Sequence, residues 1–175
     1  MVVVNSAAYA SYEAPNLQNI EFFDSNGTVV PSWLESGNSN MATDTVYWLK
    51  LVNGIPADSA LTLYMGFASP SSNLFNGVTT SEAPELSPSY GQYDNGVNVF
   101  AYYWNFPGPN LPSGWVFSQA ASSRGYSVDS GASFYTGSGE TNAIYGYYDT
   151  PLAAGSYLIS TDMQSYAGGN NGEGV

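Results

Sequence analysis

The chain has 175 residues, 43% of them hydrophobic, which is enough for one sandwich-sized domain or two small ones around a real core. It carries 2 Lys plus Arg against 14 Asp plus Glu, with no His and no Cys, for a formal charge of -12 at pH 7. Those counts exclude a basic nucleic-acid surface, disulfides, thiolate chemistry, Cys/His zinc sites and every His-dependent triad.

Residues 1–4 read as a strand. Residues 6–12 are the one helical candidate, capped by Asn5 or Ser6 and ended by Pro15. Residues 20–24 form a second strand, and Ser25-Asn26-Gly27-Thr28 a tight turn, because Asn-Gly accepts positive φ. Residues 29–36 return, with Pro31 implying an edge or a bulge. Residues 45–52 are the most β-like run, Asn53-Gly54 turns it, and 60–67 follows with fair alternation. This half, 1–89, is predicted as an antiparallel β-sandwich.

Between 69 and 96, Pro70, Pro84 and Pro88 sit among Ser, Thr, Asn and Gly, which predicts a linker with its boundary at 90–96. Leu74, Phe75 and Leu86 are the groups able to pin it to a neighbour. Strands resume at 97–104, 115–117, 125–128, 133–135, 142–148 and 155–164, which predicts part or all of a second sandwich at 97–175. The expected fold class is therefore all-β. Eleven of the 15 Tyr lie after residue 89, so the halves also differ in composition. No internal repeat is visible.

Only 9% of residues ionise, against about 25% in an ordinary globular protein, so hydroxyls and amides must wet the surface. An acidic habitat accounts for this, since near pH 4 the negative charge would collapse. An extracellular protein with little need for Lys is the plainer reading. No window reaches the ~18 apolar residues of a membrane span. Residues 1–5 lack the basic start of a signal peptide, and 168–175 end without a closing strand, so a trimmed piece of a longer polypeptide is expected.

Catalytic chemistry finds little to stand on. Glu82 and Glu85 flank Pro84 in the predicted linker and read as solvated charges, too loosely held for paired-acid hydrolysis. The Glu-x-Asp-x-x-Glu strand of jelly-roll glycosidases does not occur. Asp129, Glu140, Asp149 and Asp162 are single acids in separate segments. Asp24, Asn26 and Thr28 with Glu35 resemble a calcium loop, but Val29 stands where the loop needs glycine, so a hairpin turn is the better reading. No catalytic residue, cofactor or metal is expected.

Aromatic rings offer a different chemistry, because sugar C–H faces stack on Trp and Tyr. Trp33, Trp48, Trp104, Trp115, Tyr102 and Tyr103 are the carbohydrate-binding candidates, with Tyr145, Tyr147 and Tyr148 beside them. Against this, about half of strand aromatics in a sandwich face the core. Asn26-Gly27-Thr28 is an N-glycosylation triplet on a predicted turn, which makes Asn26 the glycosylation candidate.

The stretch from Leu17 to Glu35, with Pro31-Ser-Trp33-Leu-Glu35, followed by Thr45-Val-Tyr-Trp-Leu-Lys-Leu51 and Leu61-Thr-Leu-Tyr-Met-Gly-Phe67, resembles a domain of unknown function from large secreted and surface-anchored archaeal and bacterial proteins. The resemblance covers about residues 1–90 and is closest to archaeal members from acidic habitats. Met65-Gly66-Phe67 departs slightly from the commoner aromatic-Tyr-Gly ending. Members of that family often continue into a concanavalin-like (laminin-G-like) jelly roll, and Tyr103-Trp-Asn-Phe106 with the Trp115 strand and residues 155–162 look like the first part of one. The resemblance implies location and architecture, and transfers no active-site residue.

Together these readings predict a non-enzymatic extracellular module, structural or adhesive, in a cell-surface layer, appendage or filament. An incomplete sandwich leaves an open sheet edge, so assembly by strand complementation between subunits is expected. Its partners would be copies of itself or other surface proteins, or extracellular polysaccharide, with no nucleic acid and no membrane span. A carbohydrate-binding module is the alternative, and a glycoside hydrolase fragment comes third.

Overall fold

Alternation in the second strand sets the first buried face. In the computed structural model, which describes residues 1–118, 124–136 and 144–161, Ile20 and Phe22 point inward while Glu21 and Phe23 are half-buried. The strands in chain order are β1 (Val2–Val4), β2 (Ile20–Phe23), β3 (Val29–Val30), β4 (Ser32–Ser36), β5 (Thr45–Leu49), β6 (Tyr64–Phe67) and β7 (Thr80–Glu82). Four more follow: β8 (Trp115–Ser118), β9 (Arg124–Val128), β10 (Ala132–Thr136) and β11 (Tyr145–Tyr148). The one α-helical turn among the described residues is Gly96–Val99, so the fold is all-β.

Two sheets enclose the first core. One has the order β1-β5-β4-β7 and the other β3-β2-β6. Phe22 of β2 meets Tyr47 of β5 edge-on at 5.0 Å between centroids, joining the two layers. Leu17, Ile20, Val30, Leu34 and Phe75 complete the buried cluster. Pairing is antiparallel throughout except β4 with β7, where Ser32 faces Thr80 and Leu34 faces Glu82 in parallel register.

The run 29–36 is two strands in different sheets, because β3 pairs with β2 while β4 pairs with β5. Pro31 makes the crossing: it has no N–H for a ladder, and its carbonyl accepts from the Lys50 amide at 2.9 Å. Asp24 closes the preceding turn, its Oδ1 accepting from the amides of Asn26 (2.8 Å) and Thr28 (2.9 Å). Beyond β4, the pairing with β5 shifts register and Gly37 takes φ +70°. A Cβ at Gly37 would lie 2.8 Å from the Thr45 backbone. Gly37→Ala is expected to lower stability by about 1–2 kcal/mol, read from urea unfolding of the full chain.

Other expectations need correction. Residues 6–12 form only a short 3₁₀ turn, Ser6–Tyr9, after which the Tyr9 carbonyl accepts from the Tyr12 and Glu13 amides and the Asn19 side chain donates to the Tyr12 carbonyl at 2.9 Å. Residues 97–104 are not a strand. Phe100 and Tyr103 both turn onto Trp33, at 5.1 and 5.9 Å, which an extended backbone with alternating sides would not allow. The stretch 90–96 is no free linker: the Glu82 amide donates to the Tyr93 carbonyl, and Asn95, 1% exposed, donates from Nδ2 to the Val78 carbonyl at 2.7 Å. These contacts cover the outer edge of β7.

Among the described residues the second half holds two two-stranded antiparallel ladders, β8 with β11 and β9 with β10. Phe117 of β8 packs on Tyr126 at 4.8 Å and on Phe134 at 5.8 Å, so the ladders meet through aromatic rings. Residues 155–161 are exposed and pair with no strand among the described residues, while Glu140 and residues 162–164 lie outside the described residues.

Candidate functional site

The first sandwich is closed along one side and open along the other. On the covered side, residues 93–95 lie against β7. On the open side, β1 ends one sheet and β6 ends the other, and among the described residues neither has a strand on its outer edge. Between them runs a groove of about 340 Å³. Val2 and Val4 form one wall, Leu63 and Met65 the other, and Phe22 and Leu49 the floor. No charged side chain lines it. Val3, 58% exposed, also borders the groove, and Asn5, Ala8 and Tyr9 line it as well. An apolar seam bounded by two open strand edges has the chemistry to take up another strand: backbone groups for pairing and pockets for alternate side chains.

The six aromatic candidates divide into two clusters. Trp33, Trp48 and Tyr103 belong to the first, which is packing. Trp33 is buried, and Phe100 lies edge-on to both Trp33 and Trp48 at 5.1 and 5.5 Å. Its centre is Asp94. Oδ1 accepts from Trp33 Nε1 at 3.0 Å and from the Gly96 amide at 2.8 Å. Oδ2 accepts from the Tyr103 hydroxyl at 2.9 Å and from Asn105 Nδ2 at 2.7 Å. Burial, together with the Asp94 charge, pushes the Tyr103 phenol well above the ordinary tyrosine range. These rings hold residues 94–105 on the sandwich, with Trp33 buried and Trp48 and Tyr103 half-buried.

Trp104, Trp115 and Tyr102 belong to the second cluster. Trp104 packs on Trp115 at 5.5 Å and on Tyr148 at 4.5 Å, and Phe106 closes on Trp115 at 5.0 Å. Tyr102, 41% exposed, stacks on Trp104 at 6.2 Å and 21°. Tyr145 and Tyr147 are also exposed, with centroids 5.9 Å apart. Asn26 sits exposed on its turn, where an attached glycan would meet only solvent.

Two buried carboxyls escaped the sequence reading. Glu82, read from sequence as solvated, is 3% exposed on β7, where Ser87 Oγ donates to its Oε1 at 2.9 Å. Strand pairing with β4 draws it in, while Glu85 on the following 3₁₀ turn stays exposed. Glu13 is also 3% exposed, and neither of its oxygens meets a donor at hydrogen-bonding geometry. Burial raises the pKa of both groups; the Ser6 hydroxyl offsets part of the effect at Glu13, and Ser87 part of it at Glu82. The Tyr47 hydroxyl, also buried without a partner, is raised by burial and by the charge of Glu13. Among the described residues no group of three or more His, Cys, Asp or Glu side chains is placed to hold a metal. No helix of the described residues is long and apolar enough to cross a membrane.

No protein-family model matches the chain, and no solved structure matches it. It is similar to an uncharacterized protein, 562, of Sulfolobus islandicus rod-shaped virus 1, with 40% identity over 78 residues. Those residues are 45% of this chain but 13% of the viral protein, so the likeness is to a small part of a much longer polypeptide.

Proposed function

We propose that this chain is a non-enzymatic extracellular module, structural or adhesive, that works through contact within a surface layer, appendage or filament. The observation that carries the reading is the uncharged seam between β1 and β6, an apolar surface on a molecule of net charge -12. An uncharged groove beside strand edges that have no neighbour among the described residues is a place for another strand. The resemblance of residues 1–90 to surface-protein domains supports the same reading. So does similarity to a short part of a long viral protein, which fits a module carried within larger polypeptides.

An antibody against the chain tests this on intact source cells or particles. The expected result is exterior labelling and protease accessibility before any lysis. Labelling that needs lysis overturns it. A second reading, polysaccharide binding, is favoured by Tyr102 exposed over Trp104 and by the Tyr145–Tyr147 pair. Saturable glycan-array binding that falls with Tyr102→Ala would select it over protein contact.

A further inference from the structure

We propose that the seam between β1 and β6 accepts residues 155–161 of a second copy of this chain as an added strand. The proposal rests on the structural reading above and names the donor. The donor segment, Gly155-Ser-Tyr-Leu-Ile-Ser-Thr161, is rich in strand-forming side chains and carries no charge. Among the described residues it pairs with no strand, and Leu158 is 75% exposed and Ile159 68% exposed. Leu158 and Ile159 are adjacent in sequence, so covering both takes apolar surface out of water at one place.

The segment's own contacts hold it away from its own groove. Ser160 Oγ donates to Glu35 Oε1 at 3.1 Å, and Tyr157 lies edge-on to Tyr102 at 6.2 Å. Glu35 is on β4, which β5 separates from β1. Charge then selects where copies meet. Two molecules of charge -12 repel wherever carboxylates face each other, but neither the groove lining nor residues 155–161 includes an Asp or Glu. Strand pairing at this site buries Leu158 or Ile159 over Phe22 and Leu49 and satisfies backbone groups on β1 or β6. Because each copy owns one groove and one donor, the contact is head-to-tail, and it propagates into a filament wherever the rotation does not close a ring.

The chain contains no cysteine, so crosslinking can be made specific. Leu63→Cys in the groove and Leu158→Cys in the donor are prepared as separate full-length chains and mixed under oxidation, with Val78→Cys, exposed elsewhere, as the control. The expected result is a disulfide-linked heterodimer of the Leu63→Cys and Leu158→Cys chains, formed at least tenfold faster than either chain's pairing with the Val78→Cys control. Sedimentation should show concentration-dependent association of the unaltered chain, weakened at least roughly thirtyfold by Leu158→Asp with Ile159→Asp. Both sites are exposed, so circular dichroism should report an unchanged fold. A chain that stays monomeric at millimolar concentration, or associates equally well with both aspartates, overturns the proposal. So does a chain carrying both the Leu63→Cys and Leu158→Cys substitutions that closes an internal disulfide at a rate independent of concentration, which would place the donor in its own groove. Exterior labelling of intact particles is unaffected by these outcomes, so the structural reading can stand when the strand donor fails.

Discussion

Asp94→Ala is expected to destabilise the chain by about 3–5 kcal/mol, the largest effect of any single substitution considered for this molecule. Four donors lose their acceptor at once: Trp33 Nε1, the Gly96 amide, the Tyr103 hydroxyl and Asn105 Nδ2. A hydrogen bond to a charged group is worth roughly 1.5–3 kcal/mol, and stranding its partner in a part-buried site adds desolvation, while water admitted to the gap returns some of the loss. Asp94→Asn keeps the two bonds to Oδ1 but sets one amide N–H against that of Asn105, so about 1–2 kcal/mol is expected. Trp33→Phe retains the ring against Phe100 and loses only the N–H bond. A double-mutant cycle of Trp33→Phe with Asp94→Ala should show coupling of about 1 kcal/mol or more. Urea unfolding of the full chain reads all of these, and a loss below 1 kcal/mol for Asp94→Ala would mean that residues 94–105 hold without their central acceptor.

Acidification is expected to stabilise this protein, the reverse of the usual behaviour of carboxylate-rich folds. The sign follows from Glu13 and Glu82, both raised above the ordinary value of 4.5, mainly by burial. A raised carboxyl binds its proton more tightly in the folded state. Its favourable contribution is therefore complete below the unfolded value and is lost as pH climbs through the folded one. Asp24 works oppositely, lowered chiefly by its bond from the Thr28 amide, so its contribution fades as pH falls; it is exposed, and its effect is small. Thermal unfolding between pH 3 and 8 should show the midpoint rising from neutrality toward about pH 4.5. Glu13→Gln removes the charge facing Ser6 and the Tyr47 hydroxyl. It should stabilise the chain at pH 7, raising the midpoint, and flatten the profile, less than full relief of the charge would because the Gln amide is buried in the same partner-poor site. A midpoint that peaks near neutrality and collapses below about pH 4.5 would refute both the assignment and the acidic habitat.

Much of the first sandwich was legible because its signals are local. The alternation of Ile20 and Phe22, the Asn26-Gly27 turn and the β-branched 45–49 run each specify their own conformation. Pro31 announced a discontinuity, but only pairing partners distant in sequence reveal that it divides two sheets. Residues 97–104 misled for a physical reason: aromatic and β-branched residues favour strands wherever packing does not decide, and here Trp33 and Trp48 do decide. Glu13, Glu82, Asn19 and Asn95 were illegible as core residues. A polar side chain announces burial only through partners that the fold brings to it, such as the Ala68 carbonyl for Asn19 at 2.7 Å. The open seam of the first sandwich was not legible: the sequence points to an open edge in the partial second half, and only pairings between distant residues leave β1 and β6 as the outer strands here.

The parallel pairing of Ser32–Ser36 with Thr80–Glu82 has a kinetic corollary. Neighbours that run the same way need a long excursion of chain between them, so this contact closes late, after the hairpins formed nearer in sequence. During synthesis the nascent polypeptide must emerge past Thr80, and on to the 93–95 segment that shields it, before the sheet is whole. Until then the raw border of β4 is a site for misassociation on crowded ribosomes, and slow translation through residues 50–80 would lengthen the hazard.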